Sequence, residues 1–178
     1  VFDKTGTLTE GKPEILDVIL IDNEIGRSEI IRLAAIAEKN SEHPLSKAVI
    51  KKAKEEGIKI SDPDKFRVIP GGGVRITFEN NSILVGNPSL FEKEQVNLDQ
   101  AYQEITKLQE QGKTVSIITV NNKVKGIIAF LDMPKHDSKE TVSLLKKMGI
   151  EVIMLTGDNE ISKHGYINCI RYNNCLHF

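Results

Sequence analysis

An aspartate that directly follows two apolar residues, Val1 and Phe2, begins the segment best suited to chemistry, Asp3 to Thr9 (DKTGTLT). If the apolar pair ends a strand, the Asp3 carboxylate projects from that strand beside free backbone N–H groups, which can hold phosphate oxygens. A carboxylate placed there can attack a phosphoryl group and form an aspartyl phosphate. Any one of these residues alone is more typical of a turn or a helix cap, so only the whole segment favours catalysis.

The segment resembles the phosphorylation motif of P-type ATPases without a mismatch. The resemblance implies that Asp3 accepts the γ-phosphoryl group of ATP, that Lys4 and Thr5 belong to the same catalytic site, and that Asp3 and the backbone carbonyl of Thr5 bind Mg²⁺. In the wider haloacid dehalogenase superfamily, phosphatases usually carry a second aspartate at the position of Thr5. Threonine cannot act as general acid and base for rapid hydrolysis, so we expect a persistent phosphoenzyme and not a phosphatase.

A second candidate site lies at the corner between two predicted helices, in the segment Ser41 to Leu45 (SEHPL). A neutral imidazole can stack on adenine or hydrogen-bond to it, and a nearby carboxylate can accept from the exocyclic amine. The segment resembles a signature of heavy-metal-transporting P-type ATPases, which implies that Glu42 and His43 lie at the adenine site. A lone histidine before a helix is more often a cap or a surface residue, but the two motifs together favour the binding role.

Two glycine-containing segments resemble further nucleotide-binding elements of the same family. Gly71, Gly73 and Val74 match its Gly-x-Gly-Val loop, and Gly86 and Asn87 match its Gly-Asn pair. Without side chains, the backbone of such loops can approach a nucleotide closely. A glycine-rich turn alone is more often a simple connection, but the predicted hairpin pairs the strands that carry Gly73 and Gly86, so the two can face one pocket.

Two segments nearer the C-terminus also resemble the family. Thr156 and Asp158 belong to a Thr-Gly-Asp segment after a predicted buried strand. The resemblance implies that Thr156 hydrogen-bonds the transferred phosphoryl group and that Asp158 organises the loop. Asp132 matches an aspartate at the family's interdomain hinge, and Lys135 stands where arginine is common, which keeps the charge but loses the bidentate fork.

The resemblance stops at Asn159. The family usually continues to a Gly-Asp-Gly-x-Asn-Asp loop that completes the magnesium site, and this loop is absent from the sequence. We therefore expect phosphorylation of this chain alone to be severely impaired even if it binds ATP. The last residues, 160–178, show no family pattern, and the spacing of their two cysteines and two histidines is poor for a zinc site.

Hydrophobic periodicity predicts the elements that must position these residues. Helices are predicted at Ser28–Asn40, Pro44–Gly57, Leu98–Gln111 and Asp137–Met148, and strands at Val1–Phe2, Val74–Phe78, Ser82–Val85, Thr114–Val120, Val124–Leu131 and Glu151–Leu155. Asn80-Asn81 and Asn121-Asn122 are predicted as the turns of two hairpins.

The hairpins in the middle of the chain predict an antiparallel sheet, whereas a helix followed by a buried strand near the C-terminus is typical of an α/β domain. We predict an incomplete α/β haloacid dehalogenase-like (Rossmann-type) phosphorylation domain at residues 1–14 and 130–159. An α+β antiparallel-sheet nucleotide-binding domain is inserted into it at residues 15–129. Residues 160–178 form an atypical tail.

The 178 residues carry 24 basic and 25 acidic side chains, a net charge of −1, and the charges are interspersed. This pattern gives no electrostatic case for nucleic acid binding. The apolar stretches are far shorter than the roughly 20 residues that cross a bilayer, and two cysteines fit a reducing cytosolic setting. We expect a soluble fragment on the cytoplasmic side of a membrane protein that pumps a heavy-metal cation, with copper first by family frequency.

Three alternatives stay open at this point. An ATP-binding module without turnover would use Glu42, His43 and the glycines but never label Asp3. A phosphatase of the same superfamily is disfavoured by Thr5. A non-functional truncated product would fold only its middle domain. Zinc, cadmium, cobalt and lead also remain open as transported ions.

Overall fold

A computed structural model of the protein describes residues 1–22, 24–155 and 174–176. The chain divides into two compact units. Unit 1 contains residues 1–14, 106–114 and the described part of 131–178, and unit 2 contains residues 15–105 and 115–130. Within the described residues, no helix is long and apolar enough to cross a membrane.

Two sheets are present. The strands of the smaller sheet come from the two ends of the chain, and the strands of the larger sheet come from the residues between them. The strands are β1 (Phe2–Asp3), β2 (Glu14–Leu20), β3 (Lys65–Ile69), β4 (Gly73–Phe78), β5 (Asn81–Gly86), β6 (Thr114–Val120), β7 (Lys123–Leu131), β8 (Ile153–Leu155) and β9 (Asn174–Leu176). The helices are α1 (Arg27–Glu38), α2 (Pro44–Glu55), α3 (Pro88–Lys93), α4 (Asp99–Glu110) and α5 (Ser138–Lys147), and one π-helical turn covers Lys4–Leu8.

Unit 2 is built on a six-stranded sheet in the order β2-β7-β6-β5-β4-β3. The pairs β3-β4, β4-β5 and β5-β6 are antiparallel. Along β4, buried Val74, Ile76 and Phe78 alternate with half-buried residues, because successive side chains of a strand point to opposite faces. These three side chains share one hydrophobic core with α1, whose Ile30 and Ile31 are fully buried. The predicted antiparallel sheet with helices is confirmed.

Two hairpins of this sheet turn on two-residue loops with positive φ at both positions. The loop between β6 and β7 is Asn121-Asn122, with φ of 50° and 63°, as predicted. The loop between β4 and β5 is Glu79-Asn80, with φ of 49° and 61°, so the predicted turn Asn80-Asn81 was wrong by one residue. Asn81 already belongs to β5, where it pairs with Phe78. Glu79, which is exposed, adopts a positive φ that asparagine tolerates better. The prediction therefore placed the turn on the two asparagines and missed the glutamate.

Unit 1 has the parallel pairing expected of an α/β domain. β1 pairs with β8 in parallel, with Phe2 opposite Met154 and Asp3 opposite Leu155, and β8 pairs in parallel with β9. The helix α5 precedes β8, which gives the helix-then-strand order predicted for this part of the chain. The first strand ends one residue later than predicted, so Asp3 is its last residue, and the predicted loop after it contains a π-helical turn.

All the predicted helices and strands are present, with ends shifted by at most two residues. β2, β3, β9 and the short helix α3 were not predicted, and β9 lies in the segment predicted to be an atypical tail. Helix α3 begins with Asn87 as its N-cap and a proline in its first turn. This is a recognisable helix start, but with only six residues α3 is too short to show a helical period.

Candidate functional site

Asp3 lies at the carboxyl end of β1, and its side chain is exposed. The π-helical turn Lys4–Leu8 begins at the next residue. Single π turns are rare and occur frequently at functional sites. In parallel α/β sheets, ligands bind beyond the carboxyl ends of the strands. The position of Asp3 therefore suits a nucleophile that must meet a ligand outside the sheet.

The segment after β7 runs along the residues that follow this turn. Thr9 and Pro134 form an isolated antiparallel bridge. The backbone N–H of Glu10 donates to the carbonyl of Met133 at 2.9 Å, and that of Lys135 donates to the carbonyl of Leu8 at 2.9 Å. These bonds lie within unit 1 and tie the Asp3 segment to residues 133–135.

His43 occupies the N-cap position of α2. Its Nδ1 accepts a hydrogen bond from the backbone N–H of Leu45 at 3.2 Å. A nitrogen that accepts cannot carry the proton, so the neutral ring has its proton on Nε2 and presents an N–H donor there. Glu42 and His43 are both exposed, which leaves their side chains accessible to a ligand.

A small network of side chains supports the corner that carries His43. The Ser46 hydroxyl donates to Oε2 of Glu38 at 2.5 Å and lies 2.8 Å from the Ser41 hydroxyl. The backbone N–H of His43 donates to Oγ of Ser41 at 3.4 Å. Ser46 is 1% exposed. The corner is thus anchored to the end of α1 through a buried serine.

Gly73 and Gly86 are direct partners on the adjacent strands β4 and β5, as the predicted hairpin required. A Cβ on Gly73 would lie 2.1 Å from the carbonyl oxygen of Val85, and one on Gly86 would lie 2.3 Å from the carbonyl oxygen of Gly72. Only glycine fits at either position. The backbones of these two strands therefore approach each other more closely than side chains would allow.

Asn87 hydrogen-bonds to the turn at Gly71 and Gly72 that connects β3 to β4, called the glycine turn below. Its Nδ2 donates to the carbonyl of Gly71 at 2.9 Å, and its backbone N–H donates to the carbonyl of Gly72 at 2.9 Å. Its Oδ1 accepts from the backbone N–H of Leu90 at 3.0 Å and caps α3. The neighbouring Val74 is 3% exposed and belongs to the core, so its side chain packs against protein.

The structure thus brings Gly71, Gly73, Gly86 and Asn87 together where β4 begins and β5 ends, and places Glu42 and His43 at a separate corner of the same unit. Thr156 and Asp158 lie outside the described residues, as do the side chains of Lys4 and Thr5. For these residues the assigned roles stay predictions.

Sequence reasoning missed the ion pairs of a buried lysine in unit 2. Lys125 on β7 is 7% exposed, and its ammonium group donates to Asp22 and, at 2.9 Å, to Glu24. The hydrogen bond from Lys125 holds the pKa of Asp22 below its ordinary value, and the bond to Asp22 raises the pKa of Lys125. The pair ties the loop after β2 to β7. A lysine within an apolar strand was the available signal.

The Asp3 carboxylate and the backbone carbonyl groups that follow it offer oxygen atoms as metal ligands, and magnesium prefers oxygen ligands. Mg²⁺ is usually held by one or two carboxylates together with substrate phosphates and water. An exposed carboxylate at a strand end fits that requirement, because it leaves room for phosphate and water ligands. Among residues 1–22 and 24–155, no group of three or more His, Cys, Asp or Glu side chains is placed to hold a metal ion.

The chain belongs to the haloacid dehalogenase-like hydrolases, whose family model matches residues 1–167. Within that class, it is 46% identical over 160 residues to a probable copper-exporting P-type ATPase of Archaeoglobus fulgidus, a match covering 89% of this chain and 19% of that protein. The chain thus spans 19% of the length of the curated relative.

Solved structures agree with this placement. A zinc-transporting PIB-type ATPase in its E2·Pi state matches 99% of this chain and 28% of its own, with a TM-score of 0.76 and 28% identity. The catalytic domain of the CPx-ATPase CopB-B, studied for its conformational changes upon nucleotide binding, matches 99% of this chain and 60% of its own, with a TM-score of 0.69 and 27% identity. The resemblance to heavy-metal P-type ATPases is confirmed, and so is the haloacid dehalogenase-like fold with its antiparallel-sheet domain.

Proposed function

We propose that this chain is the ATP-binding and phosphoryl-accepting part of a P-type ATPase that moves copper across a membrane. The observation that carries the proposal is the position of Asp3, an exposed carboxylate at the end of a parallel strand in a haloacid dehalogenase-like fold. The similarity to a copper-exporting ATPase supports the choice of ion. In this proposal unit 2 binds the nucleotide, unit 1 accepts the phosphoryl group, and the sequence-derived domain boundaries separate the two tasks.

The proposed reaction is a single phosphoryl transfer. A carboxylate oxygen of Asp3 forms a bond to the γ-phosphorus of ATP while the bond from that phosphorus to the β–γ bridging oxygen breaks, and ADP leaves with the electron pair. The backbone N–H groups that follow Asp3 offer hydrogen bonds to the phosphoryl oxygens. Thr156 is proposed as a further donor to these oxygens, Lys4 as a nearby positive charge, and Asp158 as an organiser of the loop.

Magnesium is the metal ion that the proposal requires. Asp3 and the backbone carbonyl of Thr5 would hold it. When bound, it would neutralise charge on the phosphate oxygens. Thr5 gives no carboxylate for general-base attack of water, which favours a persistent aspartyl phosphate over phosphatase turnover.

The adenine end of the nucleotide is proposed to bind at the corner before α2. The Nε2–H group of His43, left free by the capping bond at Nδ1, can donate to a ring nitrogen of adenine. The Glu42 carboxylate can accept from the exocyclic amine. The close backbone approach at Gly73 and Gly86, the turn at Gly71 with Asn87 bonded to it, and the backbone of Val74 are proposed to lie against the rest of the nucleotide.

Calorimetric titration with ATP in the absence of magnesium tests the nucleotide half of the proposal. We expect binding by the native chain and a loss on the order of tenfold in His43→Ala, because one hydrogen bond and a ring contact are removed. His43→Asn keeps an acceptor that can cap α2 but lacks the imidazole ring. It should therefore also weaken ATP binding, which separates the binding role of the ring from its capping role. His136→Ala, at an exposed histidine of unit 1, is the matched control.

The same titration distinguishes the proposal from its alternatives. Asp3→Asn should leave ATP binding intact, because the nucleophile is not part of the adenine site. Failure of the folded native chain to bind ATP would remove the nucleotide-binding role of Glu42 and His43. When magnesium is then added, ATP binding without any transfer to Asp3 would favour the alternative of an ATP-binding module without turnover.

A further inference from the structure

The peptide groups of Gly6 are held on both sides by side chains from elsewhere in unit 1. Its N–H donates to Oγ1 of Thr9 at 3.1 Å, and its carbonyl accepts from Nζ of Lys135 at 2.8 Å. Gly6 lies in the middle of the π-helical turn that follows Asp3, and its φ is +78°, a conformation that glycine adopts readily. The orientation of this turn is therefore fixed by two side chains and not by its own backbone alone.

The hydroxyl of Thr9 links Gly6 to Asp132. Thr9 is fully buried, and Oγ1 donates to Oδ2 of Asp132 at 2.5 Å. The other oxygen of Asp132 accepts from the backbone N–H of Lys12 at 3.1 Å. A hydroxyl has one proton and two lone pairs, and a carboxylate can only accept. The proton of Thr9 must therefore point to Asp132, which leaves a lone pair for the N–H of Gly6.

A buried bond completes the bracing of the turn. Ser138, at the start of α5, donates through its hydroxyl to the carbonyl of Leu8 at 2.7 Å. Thr9, Asp132 and Lys135 thus act on a segment whose far end is already fixed by Ser138. A phosphoryl group bound to Asp3 would lie at the other end of this turn.

We propose that Thr9, oriented by Asp132, and Lys135 are positioning residues for phosphoryl transfer. They set the direction of the Gly6 peptide groups and so align the N–H groups beside the Asp3 carboxylate. Lys135, which stands where the family commonly has arginine, does this with one donor to a backbone carbonyl, a contact that needs no bidentate fork. The inference rests on the proposed role of Asp3 as phosphoryl acceptor.

The test uses the full chain, with amide hydrogen exchange at Gly6 and titration with magnesium and beryllium fluoride, a phosphoryl analogue that binds to carboxylates. Thr9→Val keeps the shape of the side chain and removes the hydroxyl, whereas Thr9→Ser keeps the hydroxyl. In Thr9→Val we expect exchange at Gly6 to be faster, and beryllium fluoride binding weaker, each by roughly three- to tenfold. Thr9→Ser should restore both.

Two further variants keep the test independent of folding defects. Asp132→Asn keeps one acceptor oxygen and replaces the other by an amide donor, so the side chain can no longer accept from both Thr9 and the backbone N–H of Lys12. It should change Gly6 exchange and beryllium fluoride binding in the same direction as Thr9→Val without changing the volume at Thr9. Lys135→Met should weaken beryllium fluoride binding and leave the Thr9 hydrogen bond in place. Amide spectra of unit 1, followed at residues of α5 and β8, report whether each variant remains folded.

The outcomes separate the inference from the proposed function. Faster exchange at Gly6 with unchanged beryllium fluoride binding in Thr9→Val would overturn the positioning role and leave Asp3 as acceptor. Absence of binding by the native chain, with Gly6 still protected, would overturn the role of Asp3, and the positioning role would fall with it. Unchanged exchange at Gly6 in a folded Thr9→Val chain would show that the hydroxyl does not hold the turn.

Discussion

Replacing Gly86 by alanine tests the close approach of β4 and β5 on which the glycine turn depends. The added methyl group would lie 2.3 Å from the carbonyl oxygen of Gly72 and 2.7 Å from Cδ2 of Leu90. An ordinary carbon–oxygen contact is about 3.3 Å, so the backbone of Gly72 must move by roughly 1 Å. Leu90 can adjust its side chain, but a backbone carbonyl in a turn cannot move alone.

The cost of that movement can be estimated from two contributions. Overpacking of this kind typically costs about 1–3 kcal/mol. The carbonyl of Gly72 also accepts the backbone N–H of Asn87, and weakening that bond adds about 0.5–1.5 kcal/mol. We therefore expect Gly86→Ala to lower the free energy of unfolding of unit 2 by about 1.5–4.5 kcal/mol and to weaken ATP binding.

Urea denaturation followed by circular dichroism measures this change, and hydrogen exchange at the amides of Ile83 and Ile118 assigns it to unit 2. Gly26→Ala is the matched control, because a methyl group at Gly26 would meet nothing within 4 Å and the residue has a φ of −86°. It should cost less than about 1 kcal/mol. If Gly86→Ala destabilises the protein no more than Gly26→Ala does, the close approach is not a constraint and the reasoning fails.

Three further predictions concern unit 2. Long-range ¹H–¹⁵N spectra should show the neutral ring of His43 with its proton on Nε2, and a proton on Nδ1 would contradict the capping bond from Leu45. The pKa of Asp22 is lowered in the folded protein, chiefly by its hydrogen bond from Lys125, so the pair contributes stability above about pH 4 that is lost as the pH falls through the lowered value. Between about pH 6 and pH 3, urea denaturation should therefore show a smaller loss of stability in Lys125→Met than in the native chain. Glu79→Asn should stabilise the protein by about 0.5–1 kcal/mol, since Glu79 has a φ of 49° that asparagine adopts at lower cost, and a lower melting temperature in the variant would refute this.

The parts of the fold that the sequence predicted correctly are those with a strong period. β4 alternates buried and half-buried residues, and α1 buries a continuous apolar stripe, so both appear directly in the hydrophobic pattern. The pairing of Gly73 with Gly86 followed from the hairpin once its two strands were recognised. These are local patterns, and local patterns survive in a single sequence.

The parts that were not predicted depend on contacts distant in sequence. β2 has half-buried and exposed residues without clear alternation, and it enters the sheet only through its neighbour β7. The hydrogen bond between Thr9 and Asp132 joins residues 123 positions apart. Asp132 attracted attention by resemblance alone, and nothing in its neighbours indicated that it orients Thr9. Such partners are specified by the fold and not by a spacing.

The role of Asp3 is tested most directly by incubating the chain with magnesium and ATP labelled at the γ-phosphate, followed by acid quenching. The account predicts slow incorporation of label that hydroxylamine removes, as expected for an acyl phosphate, and that Asp3→Asn abolishes. Asp64→Asn, at an exposed aspartate of unit 2, should leave the label unchanged. Label that persists in Asp3→Asn, or a chain that binds ATP and never becomes labelled, would contradict the claim that Asp3 accepts the phosphoryl group.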